Sequence, residues 1–273
     1  MDYEAGYGGR ISRLNQAKPL LCGLWLGCAV ACGTATTAAP EELAGPGPHD
    51  ASVDQALSFD GVDDYASIGT ARAPQIMLEQ SLMFWFQAQV AGGGADADLQ
   101  VLFTLRRSDW SGIALALDRG VPLAYDVFGP RDLARATLPV TPRVWHHLAY
   151  VIDQTGSQLY LDGAALTTLT PGIIPSTNRT PTQAFIGSLD GYTDMFHGAL
   201  DELRVYPRAF SAAEVQAVAT GQKPGEAEPL VLYLPFNEAA GARSYDRSGL
   251  GNHAELGDGV PSLMPKRVPS GVP

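Results

Sequence analysis

Beyond residue 54 the chain alternates apolar and polar residues with a period of two, and no long segment follows the helical period. In SLMFWFQAQV (residues 81–90), Leu82, Phe84 and Phe86 fall on one face and their neighbours fall on the other. This alternation is typical of β-strands. The same pattern, interrupted by turns rich in Gly and Asp, predicts further strands at residues 55–59, 65–68, 99–105, 112–118, 121–128, 144–153, 158–161, 183–189, 198–210 and 230–236.

One segment departs from this alternation: SAAEVQAVATG (residues 211–221) is predicted to be a short helix. Ser211 is a suitable N-cap, Glu214 completes a capping box three residues later, and Gly221 ends the helix. Short strands at regular spacing with one helix predict an all-β domain, built as a two-sheet antiparallel sandwich.

The composition is that of a folded, turn-rich protein, because apolar residues make up 45% of the chain and charged residues 17%, with 30 Gly and 20 Pro. The formal net charge is −11. No basic stripe is present to neutralise phosphates, so nucleic acid is not expected as a partner. The loop aspartates offer oxygen ligands of the kind that calcium takes, although an acidic surface also serves solubility alone.

The N-terminus has the features of a targeting segment. Basic residues precede an apolar run, Pro19–Ala31, which has the length of a signal-peptide core and is shorter than the roughly 20 residues that cross a bilayer. Residues 33–54 are small, polar and rich in Pro and Gly, which is typical of a flexible tether. We therefore expect residues 1–32 to direct export and the folded domain to occupy residues 55–273.

All three cysteines lie within the first 32 residues, which leaves the domain without a disulfide framework. The sequence AVAC, ending at Cys32, resembles a bacterial lipobox, in which the cysteine is lipidated, but its first position holds alanine where leucine is usual. Cys28 is a poorer match, because Trp25 occupies that position. We expect a lipid anchor at Cys32 on the outer membrane or cell surface, with no other membrane contact. Cleavage and secretion are the alternative.

Five motifs occur in order along the chain: LSFDGVDDYASIG, VWHHLAYVID, LYLDG, FIGS and FHGALDELRVYPRAFSAAEVQAV. Their order and spacing resemble those of a laminin-G-like jelly roll of the concanavalin A-like lectin/glucanase superfamily, here in an exported lipoprotein of bacterial type. The resemblance covers residues 55–220 and implies a concanavalin A-like jelly-roll sandwich. Each motif alone is weak, but five in sequence, with the helix directly after the last strand, are specific.

The segment LVLYLPFNEAAGARSYDRSGLGNHAEL (residues 230–256) resembles the opening of the same kind of domain, yet it follows the other motifs. It either begins a second, truncated domain or folds back onto the first. We expect the second arrangement, in which residues 229–260 supply a permuted first strand. Chain ends that lie close together make permutation easy, and an unpaired apolar strand would otherwise be exposed.

The resemblance also implies a structural calcium where such turns meet. The candidate ligands are Asp60, which shares a turn with Asp63 and Asp64, and Asp201, Asp246 and Asn252. Both this ligand set and the permuted arrangement require the Asp246–Asn252 loop to come close to the turn at Asp60 and to the strand at Asp201. Asp–Gly and Asn–His pairs are also ordinary turn formers.

Aromatic residues in or beside loops are candidates for stacking on sugar rings. They are Trp110, Phe128, Tyr192 and Phe196, with Arg106, Arg107, Asp109 and Asp194 as nearby polar groups. The same aromatic side chains could instead cap the ends of the sandwich.

The sequence contains no catalytic signature. The spaced acids E-x-D-x-E of related glucanases are missing, and the adjacent acids Asp63–Asp64 and Asp201–Glu202 point to opposite faces of a strand. His146 and His147 lie mid-strand, where a structural role is expected. We therefore expect a non-catalytic extracellular module that binds a glycan and is stabilised by calcium. A surface protein-interaction module and, less favoured, a glycoside hydrolase are the alternatives.

Overall fold

In the computed structural model, the described residues are 54–69, 72–89, 98–107, 111–127, 131–166, 182–222, 224 and 228–272. They form two sheets of eight strands each, and every pairing within the sheets is antiparallel. The predicted all-β, two-sheet jelly-roll sandwich is confirmed. The expected export segment, residues 1–32 with Cys32, lies outside the described residues.

The first sheet contains the longest strand that the structure describes, His197–Tyr206. Its strands are β1 (Gln55–Asp60), β3 (Gln80–Ala88), β8 (His146–Asp153), β9 (Gly156–Leu161), β10 (Ala164–Ala165), β12 (His197–Tyr206), β13 (Leu232–Leu234) and β16 (Lys266–Pro269). Their order is β10–β9–β8–β3–β12–β1–β16. The strand β12 pairs with β1 through residues 197–200 and with β13 through residues 203–205.

The second sheet packs against the first. Its strands are β2 (Ala66–Ile68), β4 (Leu99–Arg107), β5 (Gly112–Asp118), β6 (Val121–Asp126), β7 (Arg131–Arg135), β11 (Thr182–Ile186), β14 (Arg243–Ser244) and β15 (Ala254–Leu256). Their order is β14–β15–β2–β11–β4–β5–β6–β7.

The main core lies between the sheets. Leu82, Phe84 and Phe86 of β3 are buried there with Phe103 of β4 and Ile186 of β11. The alternation of apolar residues along β3 places these side chains on one face, as predicted. Burial of each such side chain contributes about 1.5–3 kcal/mol, so this layer accounts for much of the driving force for folding.

The predicted helix is α1 (Ala212–Ala219), and its capping box is formed. Ser211 Oγ accepts from Glu214 N at 3.3 Å, and Glu214 Oε2 accepts from Ser211 N at 2.7 Å. Val215 and Val218 pack in one cluster with Met83, on the outer face of the first sheet. The helix therefore covers part of that face.

The chain after residue 228 contributes to both sheets. It supplies β13 and β16 to the first sheet, and β14 and β15 to the second, where β15 pairs with β2. Leu232, Leu234 and Phe236 are fully buried in the main core. This segment is thus packed into the sandwich rather than forming a separate unit.

Some strands are shorter than the sequence pattern predicts, for local reasons. Within the predicted strand at residues 230–236, only Leu232–Leu234 form a strand, β13. The strand ends there because Pro235 has no N–H to donate and Phe236 has a φ of 58°. The strand predicted at residues 144–153 starts at His146, after Arg143 with a φ of 60°. The strand β12 stops at Tyr206, immediately before Pro207.

Candidate functional site

The turn between β1 and β2 brings three carboxylates together. The ligand atoms of Asp60, Asp63 and Asp64 all lie within 4.8 Å of one another. Asp60 Oδ1 accepts from Val62 N at 2.8 Å, and Asp64 Oδ2 accepts from Asp60 N at 3.0 Å. Burial, followed by the nearby charge of Asp60, raises the pKa of Asp64 to about 6. The turn therefore concentrates negative charge and oxygen ligands.

Asp246 and Asn252 lie together in the loop between β14 and β15, where they organise the backbone. The Asp246 carboxylate accepts from the N–H groups of Tyr233, Ser248 and Asn252, each at 2.9 Å. Asn252 Nδ2 donates to Val231 O at 2.7 Å. The oxygens of Asp246 are thus engaged in holding this loop against β13.

Asp201 lies on β12 and is fully buried. Its Oδ1 accepts from Glu202 N at 2.7 Å, and its Oδ2 lies 2.5 Å from Ser270 Oγ. Burial raises the pKa of the Asp201 carboxyl to about 8, and the charge of Glu202 adds to the shift. Asp201 is therefore predominantly protonated at neutral pH.

The four predicted calcium ligands do not form one cluster. Asp60 pairs with His197, which lies four residues before Asp201 on β12, a separation of about 13 Å at the usual rise of a strand. The loop of Asp246 bonds to Tyr233, whose strand pairs with β12 beyond Asp201. The structure instead groups Asp60 with Asp63 and Asp64. Register between strands, which the sequence motifs do not encode, is the reason for the difference.

The predicted sugar-stacking aromatics have different environments. Tyr192 is 82% exposed. Phe196 is fully buried and packs on Phe59, with ring centroids 6.2 Å apart, so it belongs to the core and not to a ligand surface. Trp110 and Phe128 lie outside the described residues.

Tyr192 is held by a compact loop after β11. Asp190 Oδ1 accepts from Tyr192 N at 2.9 Å, and Ser188 Oγ accepts from Gly191 N at 3.0 Å. Leu189 packs into a cluster with Val101 on the outer face of the second sheet. The loop therefore folds back over this face and presents Tyr192 to solvent.

Two aromatic residues that the loop-based reasoning missed lie beside this loop. Tyr65 and Phe185 have ring centroids 6.4 Å apart, and a Cβ at Gly191 would contact both rings at 3.3–3.5 Å. The guanidinium carbon of Arg106 lies 5.2 Å from the centre of the Phe185 ring. Phe185 sits between the core residues of β11, so the alternation could have identified it as outward-facing. We call Tyr65, Phe185, Tyr192 and Arg106 the Tyr192 surface.

Polar groups border the Tyr192 surface. Asp258 accepts from Tyr65 Oη at 2.9 Å and from Ser67 Oγ at 2.6 Å. Burial lowers the pKa of the Arg106 guanidinium, and the charge of Asp190 opposes this shift. Tyr65 and Phe185 are only 4% and 8% exposed, so they support the loop from below and Tyr192 is the ring that can stack on a sugar. The hydroxyl, carboxylate and guanidinium groups nearby can bond to sugar hydroxyls.

Glu202 and His146, two of the residues considered for catalysis, are bonded to neighbouring side chains, and His147 is buried. Glu202 accepts from Tyr233 Oη at 3.1 Å and is ion-paired with Arg204. Burial lowers the pKa of His147 to about 4, so its ring is neutral at physiological pH. The Asp162 carboxylate accepts from His146 Nδ1 at 2.8 Å, and this bond raises the pKa of His146. In the described ranges, the helical segments fall short of the length and apolarity that a bilayer crossing requires.

A family profile of the concanavalin A-like lectin/glucanases superfamily matches residues 60–216. No curated protein sequence matches the chain.

Among solved structures, a candidate carbohydrate-binding protein from Bacteroides ovatus is similar, with a TM-score of 0.58, 16% identity and coverage of 81% of this chain. Domain 4 of an extracellular GH43 arabinanase from Geobacillus stearothermophilus, solved with arabinotriose, has a TM-score of 0.49, 16% identity and coverage of 60% of this chain and 76% of its own. The chain spans only 61% of the Bacteroides ovatus protein, and likeness at this identity reflects the fold.

Proposed function

We propose that this chain, which belongs to the concanavalin A-like lectin/glucanases superfamily, is an exported, non-catalytic module that binds carbohydrate. The binding surface is the Tyr192 surface on the second sheet. Function in this superfamily depends on the site rather than on the fold, so the proposal rests on the chemistry of this surface.

The exposed ring of Tyr192 carries the proposal. Tyr192 is 82% exposed on a loop that hydrogen bonds to Asp190 and Ser188 hold in place, so its ring is available to a ligand without rearrangement. The neighbouring Arg106 and Asp258 are placed to bond to hydroxyl groups. An exposed aromatic ring on a fixed loop, with polar groups nearby, is an arrangement that suits sugar binding.

Calcium is the proposed structural ion, and the turn at Asp60, Asp63 and Asp64 is its proposed place. The three carboxylates supply oxygen ligands of the type that calcium prefers, within 4.8 Å of one another. When bound, the ion would neutralise the charge that these carboxylates concentrate. Asp201, Asp246 and Asn252 fit this role less well. Asp201 is fully buried and predominantly protonated at neutral pH, because burial raises its pKa to about 8. Both carboxylate oxygens of Asp246 and the amide of Asn252 hold their loop against β13.

Export and anchoring complete the proposal. Cys32 is the proposed lipidation site, which would tether the module to the cell surface; secretion without a lipid is the alternative.

A protein-interaction or adhesion module remains the second candidate function, since an exposed tyrosine with an arginine beside an aromatic ring also suits a protein interface. A glycoside hydrolase is the least favoured, because Asp201 is buried and Glu202 is ion-paired.

Native gel electrophoresis through soluble polysaccharides tests the function. Gels containing arabinan, xylan, mixed-linkage β-glucan or mannan should retard the protein in at least one case. Tyr192→Ala should abolish the retardation, whereas Tyr192→Phe, which keeps the ring, should retain most of it. Equal retardation of Tyr192→Ala and the parent protein would exclude the Tyr192 surface.

A further inference from the structure

The outer face of the first sheet carries a second set of aromatic and polar side chains, beyond the area that α1 covers. Asp201, Trp85 and His147 lie side by side, because Asp201 pairs with Trp85 and Trp85 pairs with His147. Trp145 lies just before β8, and its indole is close to Gly271, the residue after the Ser270 that contacts Asp201. We call Trp85, Trp145, His147 and Asp201 the Trp patch.

The last described residues lie against this patch. Ser270 Oγ is 2.5 Å from the carboxyl of Asp201, which is fully buried. Gly271 lies against Trp145, since a Cβ built on this glycine would be 3.2 Å from the indole Nε1. Residues 270–272, which we call the strap, therefore run from β16 back over the face of the sheet.

The groups of the patch are uncharged at neutral pH. Burial raises the pKa of Asp201 to about 8 and lowers the pKa of His147 to about 4. The Nδ1 atom of His147 is buried without a hydrogen-bond partner among the described residues. The His147 ring meets the edge or face of Trp85 at a centroid distance of 5.2 Å. Indole rings beside an uncharged carboxyl and an uncharged imidazole suit a neutral ligand that carries hydroxyl groups.

The strap itself shows how such a ligand would bind. Ser270 places a hydroxyl group on the carboxyl of Asp201, and the backbone of Gly271 lies against an indole. We propose that the Trp patch is a second carbohydrate-binding site, occupied by the strap as an intramolecular mimic, and that a neutral oligosaccharide takes the place of the strap. The site is on the opposite sheet from the Tyr192 surface and is independent of it.

The strap should reduce the apparent affinity of this site. A site that is free in only a fraction of the molecules binds more weakly by that fraction, so releasing the strap should raise the apparent affinity, by about tenfold if one molecule in ten is open. Gly271→Val is the variant chosen to loosen it, because a Cβ 3.2 Å from the indole Nε1 requires either the strap or the Trp145 side chain to shift. Gly69→Val is the matched control, since a Cβ there meets nothing within 4 Å and neither glycine has a positive φ.

The experiment measures two quantities for each variant. Acrylamide quenching of tryptophan fluorescence reports whether the strap has left, and titration with cellohexaose, xylohexaose and maltohexaose reports binding. A chain that ends at Pro269, which keeps β16, serves as the second variant if Gly271→Val does not fold. Gly271→Val and the shortened chain should show greater quenching and tighter binding of at least one hexasaccharide than Gly69→Val. Adding Trp85→Ala should remove that gain, whereas adding Tyr192→Ala should leave it.

Three results would overturn the proposal. Quenching that rises in neither variant would mean that the strap does not shield the indole rings of the patch. Greater quenching without tighter binding of any of the three hexasaccharides would mean that the exposed patch does not take neutral sugars. If Tyr192→Ala removes the tighter binding and Trp85→Ala leaves it, the sugar binds to the second sheet and not to the Trp patch.

Discussion

The hydroxyl of Ser270 lies 2.5 Å from the carboxyl of Asp201, which joins the C-terminal segment to the middle of the first sheet. This bond adds to the pairing of β16 with β1 and of β13 with β12. The family profile ends at residue 216, so these contacts come from a part of the chain that the profile does not cover. The expected meeting of Asp60, Asp201 and the Asp246 loop is not formed, so it gives the permuted arrangement no support. The strand pairings alone support, as a proposal, the view that this segment takes the place of an opening strand.

Phe236 should be essential for stability if the C-terminal segment belongs to the core. Its side chain is fully buried in the main core, so Phe236→Ala should lower the free energy of unfolding by about 3–5 kcal/mol. Leu250→Ala is the control, because Leu250 lies in the same segment and is 59% exposed. This substitution should change the free energy of unfolding by less than about 0.5 kcal/mol. Urea unfolding followed by circular dichroism measures both. Equal, small effects would mean that the segment packs only loosely.

Asp201 should make the protein less stable as the pH rises. Its pKa is about 8 in the folded protein and near 3.8 in the unfolded chain, so between these values the folded state holds more protons. Stability should therefore fall as the pH rises from about 4 to 8 and level off above, at up to about 1.4 kcal/mol per pH unit. Asp201→Asn removes the titrating group and should remove this slope.

The measurement is thermal or urea unfolding of Asp201→Asn and the parent protein at several pH values. The advantage of the variant should grow between pH 4 and pH 8. Glu79→Gln, which alters an exposed carboxylate, should show no such growth. A difference between Asp201→Asn and the parent that stays constant across this range would contradict a buried, protonated Asp201.

Calcium should raise the melting temperature through the turn at Asp60. A ligand that binds only the folded state stabilises it by about 2.7 kcal/mol at a concentration 100 times its Kd. Differential scanning fluorimetry with calcium and then with EDTA measures this shift. Asp60→Asn should abolish the response. Asp246→Asn should lower the melting temperature but keep the response, because Asp246 holds a loop. A melting temperature that EDTA leaves unchanged in calcium-loaded protein would exclude the ion.

Gly187, the glycine of the FIGS motif, should tolerate no side chain. Its φ is 79°, and a Cβ would lie 2.3 Å from the ring of Phe59. Gly241 also has a positive φ, of 105°, but a Cβ there meets nothing within 4 Å. Gly241→Ala should therefore lower the free energy of unfolding by about 1–2 kcal/mol, because of the backbone conformation alone. Gly187→Ala should lower it by about 1–3 kcal/mol more, because of the clash with Phe59. Chemical denaturation measures the free energy of unfolding of both variants. Equal losses of unfolding free energy would contradict this account.

The sequence was informative where structure depends on local pattern. The alternation in β3 placed Leu82, Phe84 and Phe86 correctly in the core, and the spacing of Ser211 and Glu214 predicted the capping box. Both features involve neighbours along the chain, whose geometry the backbone sets.

The sequence was less informative where distant segments meet. Asp60 and Asp201 lie on neighbouring strands, but their separation depends on a register that turn motifs do not specify. Phe196 lies beside a loop, yet the approach of Phe59 buries it. Phe185 lies in a strand and was not considered, although its neighbours on β11 face the core. Loop position alone was therefore a poor guide to exposure.

A glycan array probed with the folded, fluorescently labelled domain, with and without calcium, tests carbohydrate binding most directly. Binding to a related group of neutral glycans is expected, and Tyr192→Ala should reduce the signal on that group at least in part. If the domain melts cooperatively and binds no glycan on the array in either condition, carbohydrate binding is contradicted and the protein-interaction alternative is favoured.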